Sequence, residues 1–146
     1  MLEIKDLTIQ YGDKPPVVEN FSLSLKKGEI IAIVGESGSG KSTVLSSILG
    51  LLPNGGKIIS GDIIYNGESM LSKSLNQWRE LRGTEITMIS QDSGGTLNPI
   101  RKIGKQFVEY IQTHSKMSAK EAEEKAKDMF SKVNLPDPEI IMKSYP

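Results

Sequence analysis

Hydrophobic and polar residues alternate between Leu2 and Gly28, a pattern that favours two antiparallel strands with one face in water. The alternation over residues 2–11 changes phase at Lys5-Asp6, which predicts a β-bulge at that point. Turn-forming residues at 12–16 separate this strand from a second one over residues 21–25. The N-terminal part of the sequence is therefore expected to be a β-hairpin.

The middle of the sequence has the order of an α/β unit. Residues 30–34 are all apolar, as expected of a strand that is covered on both faces, and a glycine-rich loop follows them. Apolar residues on one helical face predict a helix over residues 42–49. Strand patterns return over residues 58–65 and 85–90, and a short helix is predicted over residues 75–82 between them.

After residue 99 the spacing of apolar residues becomes helical, beginning at Ile103. Ser118 and Glu121 have the spacing of a capping box, in which each side chain bonds the backbone of the other residue, and this predicts the start of a further helix. The sequence is therefore divided into residues 1–98, of mixed α/β type, and residues 99–146, which are helical.

The composition restricts the chemistry that is open to the chain. Its 146 residues include no Cys and one His, which excludes a disulfide framework and argues against a His-based zinc site. Eighteen Lys and Arg residues balance 18 Asp and Glu residues, so there is no net positive field to bind nucleic acid. The longest apolar run has five residues, far fewer than the roughly 20 of a membrane-spanning helix. Any phosphate must therefore be bound locally.

The glycine-rich loop matches the phosphate-binding pattern G-x-x-x-x-G-K-[ST] at every fixed position. Glycines let such a loop turn its backbone N–H groups inward, and the helix that follows presents its positive end to the same anion. We expect Lys41 to reach the β- and γ-phosphates, the Ser42 hydroxyl to bind Mg²⁺, and Thr43 to lie on the α-phosphate side. The candidate phosphate-binding residues are Gly35, Glu36, Ser37, Gly38, Ser39, Gly40, Lys41, Ser42 and Thr43.

Sequence features on both sides of this loop point to one family. Tyr11 lies 24 residues before the loop, and Gln91 lies 50 residues after its lysine, at the end of a predicted strand. These positions resemble the aromatic A-loop and the Q-loop of ABC-transporter nucleotide-binding domains. The sequence Leu97-Asn98-Pro99, followed by Ile103-Gly104, resembles the branch of that family that imports oligopeptides, dipeptides and nickel.

The resemblance implies an α/β fold of the P-loop NTPase (ABC ATPase) type, truncated to an antiparallel β subdomain, an incomplete nucleotide-binding core and part of the helical subdomain. It also implies that Tyr11 stacks on adenine and that Gln91 reaches Mg²⁺ or the attacking water. Lys41 and Gln91 are then the catalytic candidates, and Ser42 and Gln91 the metal ligands, for ATP and Mg²⁺. The implied function is that of an importer's ATP-binding subunit, which couples ATP binding and hydrolysis to uptake of a peptide or nickel.

The resemblance also implies partners and a location. The segment after Gln91 would contact transmembrane permease subunits, and a second ATP-binding subunit would pair with this one. An extracellular solute-binding protein would take part indirectly, and no nucleic acid is expected. The subunit would be cytoplasmic and held at the inner face of the cell membrane by the permease.

Three motifs of that family are absent from the sequence: the Leu-Ser-Gly-Gly signature, the acidic Walker B strand and the switch histidine. We therefore expect the N-terminal portion of a longer subunit that at most binds ATP, because no carboxylate is present to orient the attacking water. The predicted strands at 30–34 and 85–90 would also lack their neighbours, so we expect self-association, an exchanged element or mobile segments.

Other functions fit parts of the pattern. An ABC-type head of a chromosome-maintenance or DNA-repair ATPase has the same loop, but no sustained coiled-coil heptads follow residue 99. A stand-alone P-loop kinase or GTPase would leave Tyr11 and Gln91 without a role, and no Asn-Lys-x-Asp guanine signature is present. A short natural protein that binds a nucleotide without hydrolysing it remains open at the level of sequence.

Overall fold

The computed structural model describes residues 1–91 and 94–146, so Asp92 and Ser93 lie outside the described residues. The chain divides into two compact units, residues 1–82 and residues 83–146. The boundary after residue 98 is a division by sequence motif and stays a prediction. Across the described ranges, no helix combines the length and the apolar character needed to cross a membrane.

The first unit is built on an antiparallel sheet with two helices. Its elements are β1 (Leu2–Tyr11), β2 (Val18–Leu25), α1 (Lys41–Ile48), β3 (Gly56–Tyr65), β4 (Glu68–Ser69) and α2 (Leu75–Leu81). The strands are ordered β2-β1-β3-β4, and β1 pairs antiparallel with both β2 and β3, which confirms the predicted hairpin. The core contains Ile4, Leu7 and Ile9 of β1, together with Ile63 of β3 and Val44 of α1, all of them buried.

A β-bulge interrupts β1, as the change of phase in the sequence predicts. Between two regular pairs of β1 and β3, Asp6 and Leu7 lie opposite Gly61 alone. The Asp6 backbone turns to a φ of 46°, and its N–H donates to Ser22 Oγ at 2.9 Å. The Ser22 hydroxyl in turn donates to Asp6 Oδ1 at 3.1 Å, so side-chain bonds from β2 hold the bulge in place.

Two segments predicted as strands are not strands in the structure, and those predictions are wrong. Residues 30–34 and 85–90 do not belong to the sheet, and Ile30 is 98% exposed and Ile89 96% exposed. An apolar run forms a buried strand only where neighbouring strands accept its hydrogen bonds and other elements cover its faces. Neither segment pairs with the sheet in the described residues, and most of their side chains are exposed. The expected self-association of the chain stays a prediction.

Three helices, described in the second unit, pack around one apolar core. They are α3 (Ile103–Thr113), α4 (Ala119–Lys132) and α5 (Pro138–Lys143), and a 3₁₀ turn at Gly94–Thr96 precedes them. The predicted capping box opens α4, because Glu121 N–H donates to Ser118 Oγ at 3.3 Å and Ser118 N–H donates to Glu121 Oε2 at 2.8 Å. Phe130 of α4 meets Phe107 of α3 edge to face, with ring centroids 4.7 Å apart, and shares the core with Met142 of α5.

Candidate functional site

The glycine-rich loop lies immediately before α1 and is open to solvent. Residues 35–39 are exposed, whereas Gly40, the residue that precedes the first turn of α1, is buried. Gly38 and Gly40 adopt left-handed backbone angles, with φ of 84° and 86°, which a residue with a Cβ adopts only at a cost. The Ser39 N–H donates to the Glu36 carbonyl oxygen at 3.2 Å and tightens the turn. The two glycines therefore set the path of the backbone around the candidate site.

Close packing against β2 fixes the end of the loop. A Cβ built on Gly40 would lie 2.9 Å from the Val17 carbonyl oxygen and 2.9 Å from Val18 Cγ2. Because one of these atoms belongs to the backbone, a side chain at position 40 would push α1 away from the sheet. The start of α1 is thus seated against the start of β2, which leaves no space for a side chain at the end of the glycine-rich loop.

Lys41, the first residue of α1, folds back over the loop. Its Nζ donates to the Gly35 carbonyl oxygen at 2.8 Å, to the Glu36 carbonyl oxygen at 2.6 Å and to Ser39 Oγ at 3.4 Å. All three acceptors belong to the loop itself. The ammonium group is therefore held at the loop, where it can interact with an anion bound there as a compact positive charge.

The N-terminal end of α1 has the electrostatic character of an anion site. Gly40 supplies no side-chain bond to the first turn, and that turn contains no acidic residue. The N–H groups at the start of a helix lack intrahelical partners, and the helix dipole gives them a partial positive charge. A phosphate placed there would be stabilised by these N–H groups and by Lys41 together.

The residues expected to bind Mg²⁺ lie in different units. Ser42 is exposed in the first turn of α1, so its hydroxyl is accessible as a hard oxygen ligand of the kind that Mg²⁺ prefers. Thr43, beside it, is half-buried. Gln91 is exposed and belongs to the second unit, and its approach to the loop stays a prediction.

Tyr11, the candidate adenine-stacking residue, packs against Gly56 at the end of the sheet. The two residues are paired between β1 and β3, and a Cβ built on Gly56 would lie 2.5 Å from Tyr11 Cε1. Because Gly56 has no side chain, the aromatic ring can lie close to its backbone. The ring is half-buried and retains exposed surface. Stacking on a base stays a prediction.

The sequence patterns did not identify Arg82 and Trp78, which lie at the other end of α1. Arg82 Nε donates to the Leu49 carbonyl oxygen at 2.8 Å, and its Nη2 donates to the Gly50 carbonyl oxygen at 3.0 Å. The guanidinium carbon lies 4.6 Å from the centre of the Trp78 ring. Partial burial lowers the pKa of Arg82 from its usual value, although a guanidinium remains charged near neutral pH.

Sequence comparisons place this geometry among known proteins. The profile of the ABC transporter family matches residues 18–145. The chain is 37% identical over 150 residues to the dipeptide transport ATP-binding protein DppD of Lactococcus lactis subsp. cremoris, covering all of this chain and 43% of that protein. It is 39% identical over 149 residues to the metal-staphylopine import system ATP-binding protein CntD of Staphylococcus aureus, covering all of this chain and 54% of that protein.

The fold agrees with a solved structure of low sequence identity. The dimeric structure of MJ0796, a bacterial ABC transporter cassette, superposes with a TM-score of 0.82 at 22% identity. The match covers all of this chain and 62% of that one. At this identity the likeness is one of fold, and it confirms the predicted ABC ATPase type. The chain spans about half the length of the curated relatives named above.

Proposed function

Because the chain belongs to the ABC transporter family, we propose that it is the nucleotide-binding portion of an importer's ATP-binding subunit. The observation that carries this proposal is the loop before α1, where Lys41 and an uncapped helix end converge on one exposed turn. Family membership disfavours a stand-alone kinase or GTPase. The relatives named above are transport and import proteins, which supports an importer over a chromosome-maintenance head.

We assign the phosphates of ATP to the loop and to the start of α1. Backbone N–H groups of the loop would bind phosphate oxygens, and Lys41 would exchange its bonds to loop carbonyls for bonds to the β- and γ-phosphates. Ser42 would hold Mg²⁺ together with Gln91, and Tyr11 would stack on the base. Bound Mg²⁺ supplies positive charge to the phosphates. This chain's own residues orient the triphosphate and fix it against the sheet.

Hydrolysis is proposed for the subunit to which this portion belongs. Phosphoryl transfer depends on positioning and on charge stabilisation, including a group that orients the attacking water. The 146 residues contain no apolar run followed by Asp-Glu that would supply such a carboxylate. The chain by itself is therefore expected to bind ATP with very slow turnover.

The proposed contact with the permease is supported by an apolar groove in the second unit. Residues 88–89, before Gln91, and residues 96–97, after it, contribute to the groove together with residues of α3. Its apolar lining residues are Met88, Ile89, Leu97, Phe107 and Tyr110. Exposed apolar patches of this kind mark protein contacts, and a groove of this character suits the apolar face of a helix. We assign it to a cytoplasmic segment of the transmembrane subunit.

The remaining parts of the proposal follow from family membership. A second ATP-binding subunit would pair with this one, and an extracellular solute-binding protein would deliver the solute to the permease. The subunit would be located at the inner face of the cell membrane. The names of the relatives include a dipeptide transporter and a metal-staphylopine importer, which supports a peptide or a metal such as nickel as the transported solute.

Calorimetric titration with Mg-ATP tests the site. Lys41→Ala should weaken binding by at least tenfold, because a charge-assisted contact to phosphate contributes about 1.5–3 kcal/mol. Lys27→Ala is the matched control, since Lys27 is an exposed lysine of the same unit outside the loop. Equal affinity of the wild type, Lys41→Ala and Lys27→Ala would refute the proposed site.

A further inference from the structure

The two ends of α1 differ in how their backbone groups are satisfied. At the end that faces the glycine-rich loop, Gly40 provides no side-chain cap. At the opposite end, Arg82 donates to two consecutive carbonyl oxygens, those of Leu49 and Gly50. Leu49 and Gly50 directly follow α1, whose Ser46 and Ser47 carbonyls accept from the Leu51 and Gly50 N–H groups, and the helix dipole gives this end partial negative charge. The end of α1 proposed to bind phosphate is therefore open, and its other end is closed by a cation.

A short helix such as α1 depends on this anchoring. It contains eight residues, whereas isolated helices of fewer than about 12–15 residues are marginal in water. A guanidinium that bonds two carbonyls at once holds them in a defined direction, because its donors are fixed in one plane. Arg82 comes from a segment more than 30 residues further along the chain. It therefore ties α1 to the region of α2 rather than to its own local sequence.

Trp78 completes this anchor. Gly50 has a φ of 62°, and a Cβ built on it would lie 2.6 Å from Trp78 Cζ2, so the indole ring lies directly on the backbone where α1 ends. The same ring lies under the Arg82 guanidinium. An aromatic face attracts a cation, so the ring favours this position of the guanidinium.

We propose that Arg82, supported by Trp78, is a positioning residue for triphosphate binding, which holds the far end of α1 so that Lys41 and the first-turn N–H groups keep their orientation toward the phosphates. This inference rests on the proposed function of the loop. Arg82 acts through α1 and does not touch the nucleotide. Its removal leaves the Leu49 and Gly50 carbonyls without this donor, and the segment that closes α1 is no longer tied to α2.

The test is the dissociation constant for Mg-ATP of the 146-residue chain, measured well below its melting transition. Arg82→Met should raise this constant severalfold, and by about fivefold if all of the roughly 1 kcal/mol that a cation contributes at a helix C-terminus goes into orienting α1 for phosphate. Arg82→Lys keeps the charge but loses the planar pair of donors, so its dissociation constant should lie between those of the wild type and Arg82→Met. Arg79→Met removes an exposed arginine of α2 and should bind like the wild type.

Amide hydrogen exchange tests whether Arg82 holds the end of α1, and the Mg-ATP affinity of the folded variant separates positioning from stability alone. The N–H groups of Gly50 and Leu51 bond to Ser47 and Ser46 of α1, and their exchange should accelerate in Arg82→Met. A lower melting temperature with unchanged Mg-ATP affinity in the folded variant would overturn the inference. If Arg82→Met does not fold, Arg82→Gln replaces it, and wild-type affinity of Arg82→Gln would overturn the inference equally.

The same titrations distinguish this inference from the proposed function. If Lys41→Ala binds weakly and the Arg82 variants bind like the wild type, only the proposed role of Arg82 is contradicted. If Lys41→Ala binds as tightly as the wild type, the proposed phosphate site is contradicted. If the wild type does not bind Mg-ATP, both the phosphate site and the role of Arg82 are contradicted. Parallel weakening in Lys41→Ala and Arg82→Met, with Arg79→Met unchanged, is the result expected.

Discussion

Replacement of Gly61 by alanine should destabilise the first unit much more than the same replacement at Gly67. Both glycines are left-handed, with φ of 84° and 87°. A Cβ on Gly61 would lie 2.5 Å from the Asp6 carbonyl oxygen and 2.6 Å from the Asp6 carbonyl carbon, whereas nothing lies within 4 Å of a Cβ on Gly67. The pair therefore shares a backbone conformation and differs in crowding.

The magnitude follows from two separate costs. Alanine in the left-handed conformation costs about 1–2 kcal/mol at either position. At Gly61 the new methyl group meets strand backbone rather than a movable side chain, and such overpacking costs about 1–3 kcal/mol more. Gly61→Ala should thus cost about 2–5 kcal/mol, a large part of the roughly 5–15 kcal/mol that stabilises a typical domain.

Urea unfolding measures this difference. Trp78 is the one tryptophan of the sequence and belongs to the first unit, so its fluorescence reports on the unit that contains the bulge. The midpoint for Gly61→Ala should fall well below that for Gly67→Ala, with similar slopes. Equal midpoints would show that β1 accommodates a side chain at position 61 at no cost, which would contradict a rigid bulge.

Two further predictions concern the capping box and the aromatic ring at Tyr11. Ser118→Ala should destabilise α4 by about 1 kcal/mol in thermal melts. The Ser118 side-chain bond holds the pKa of Glu121 below its usual value. The stability that comes from the ionised Glu121 is therefore fully present above the usual pKa and is lost as pH falls through the lowered pKa. The difference in melting temperature between the wild type and Ser118→Ala should therefore become smaller in acid. A difference that does not change with pH would contradict the role assigned to Ser118. Tyr11→Ala should weaken ATP and GTP binding alike, by about 1–3 kcal/mol, while Tyr11→Phe retains it; unchanged affinity in Tyr11→Ala would leave the ring as packing against Gly56.

Local sequence patterns predicted those parts of the fold whose contacts are local or paired within a hairpin. The alternation in β1 and β2 predicted both strands and the bulge, because one face of that hairpin is buried in the structure. The spacing of Ser118 and Glu121 predicted the start of α4, since both bonds of a capping box join residues within one turn. Residues 30–34 were mispredicted because burial of a central strand depends on neighbours, which no local pattern encodes.

In the candidate site, too, the sequence motif predicts the local conformation but not the packing against other parts of the chain. The positive φ of Gly38 and Gly40 and the fold-back of Lys41 all lie within one short stretch, and the sequence motif contains them. The seating of Gly40 against Val17 depends on β2, which the motif does not include. A fixed spacing can therefore predict the conformation of the loop, while the packing of its base is set elsewhere in the chain.

The contacts of Arg82 at the far end of α1 bear on how tightly a phosphate can bind at the other end. A phosphate bound at a helix N-terminus is stabilised only as far as the N–H groups already point at it, because reorganisation costs part of the binding free energy. An eight-residue helix holds that direction poorly by itself, and in this chain its far end is fixed by Arg82 and Trp78. Two sequences with the same loop can thus differ in affinity for a triphosphate according to what closes the opposite end of the helix.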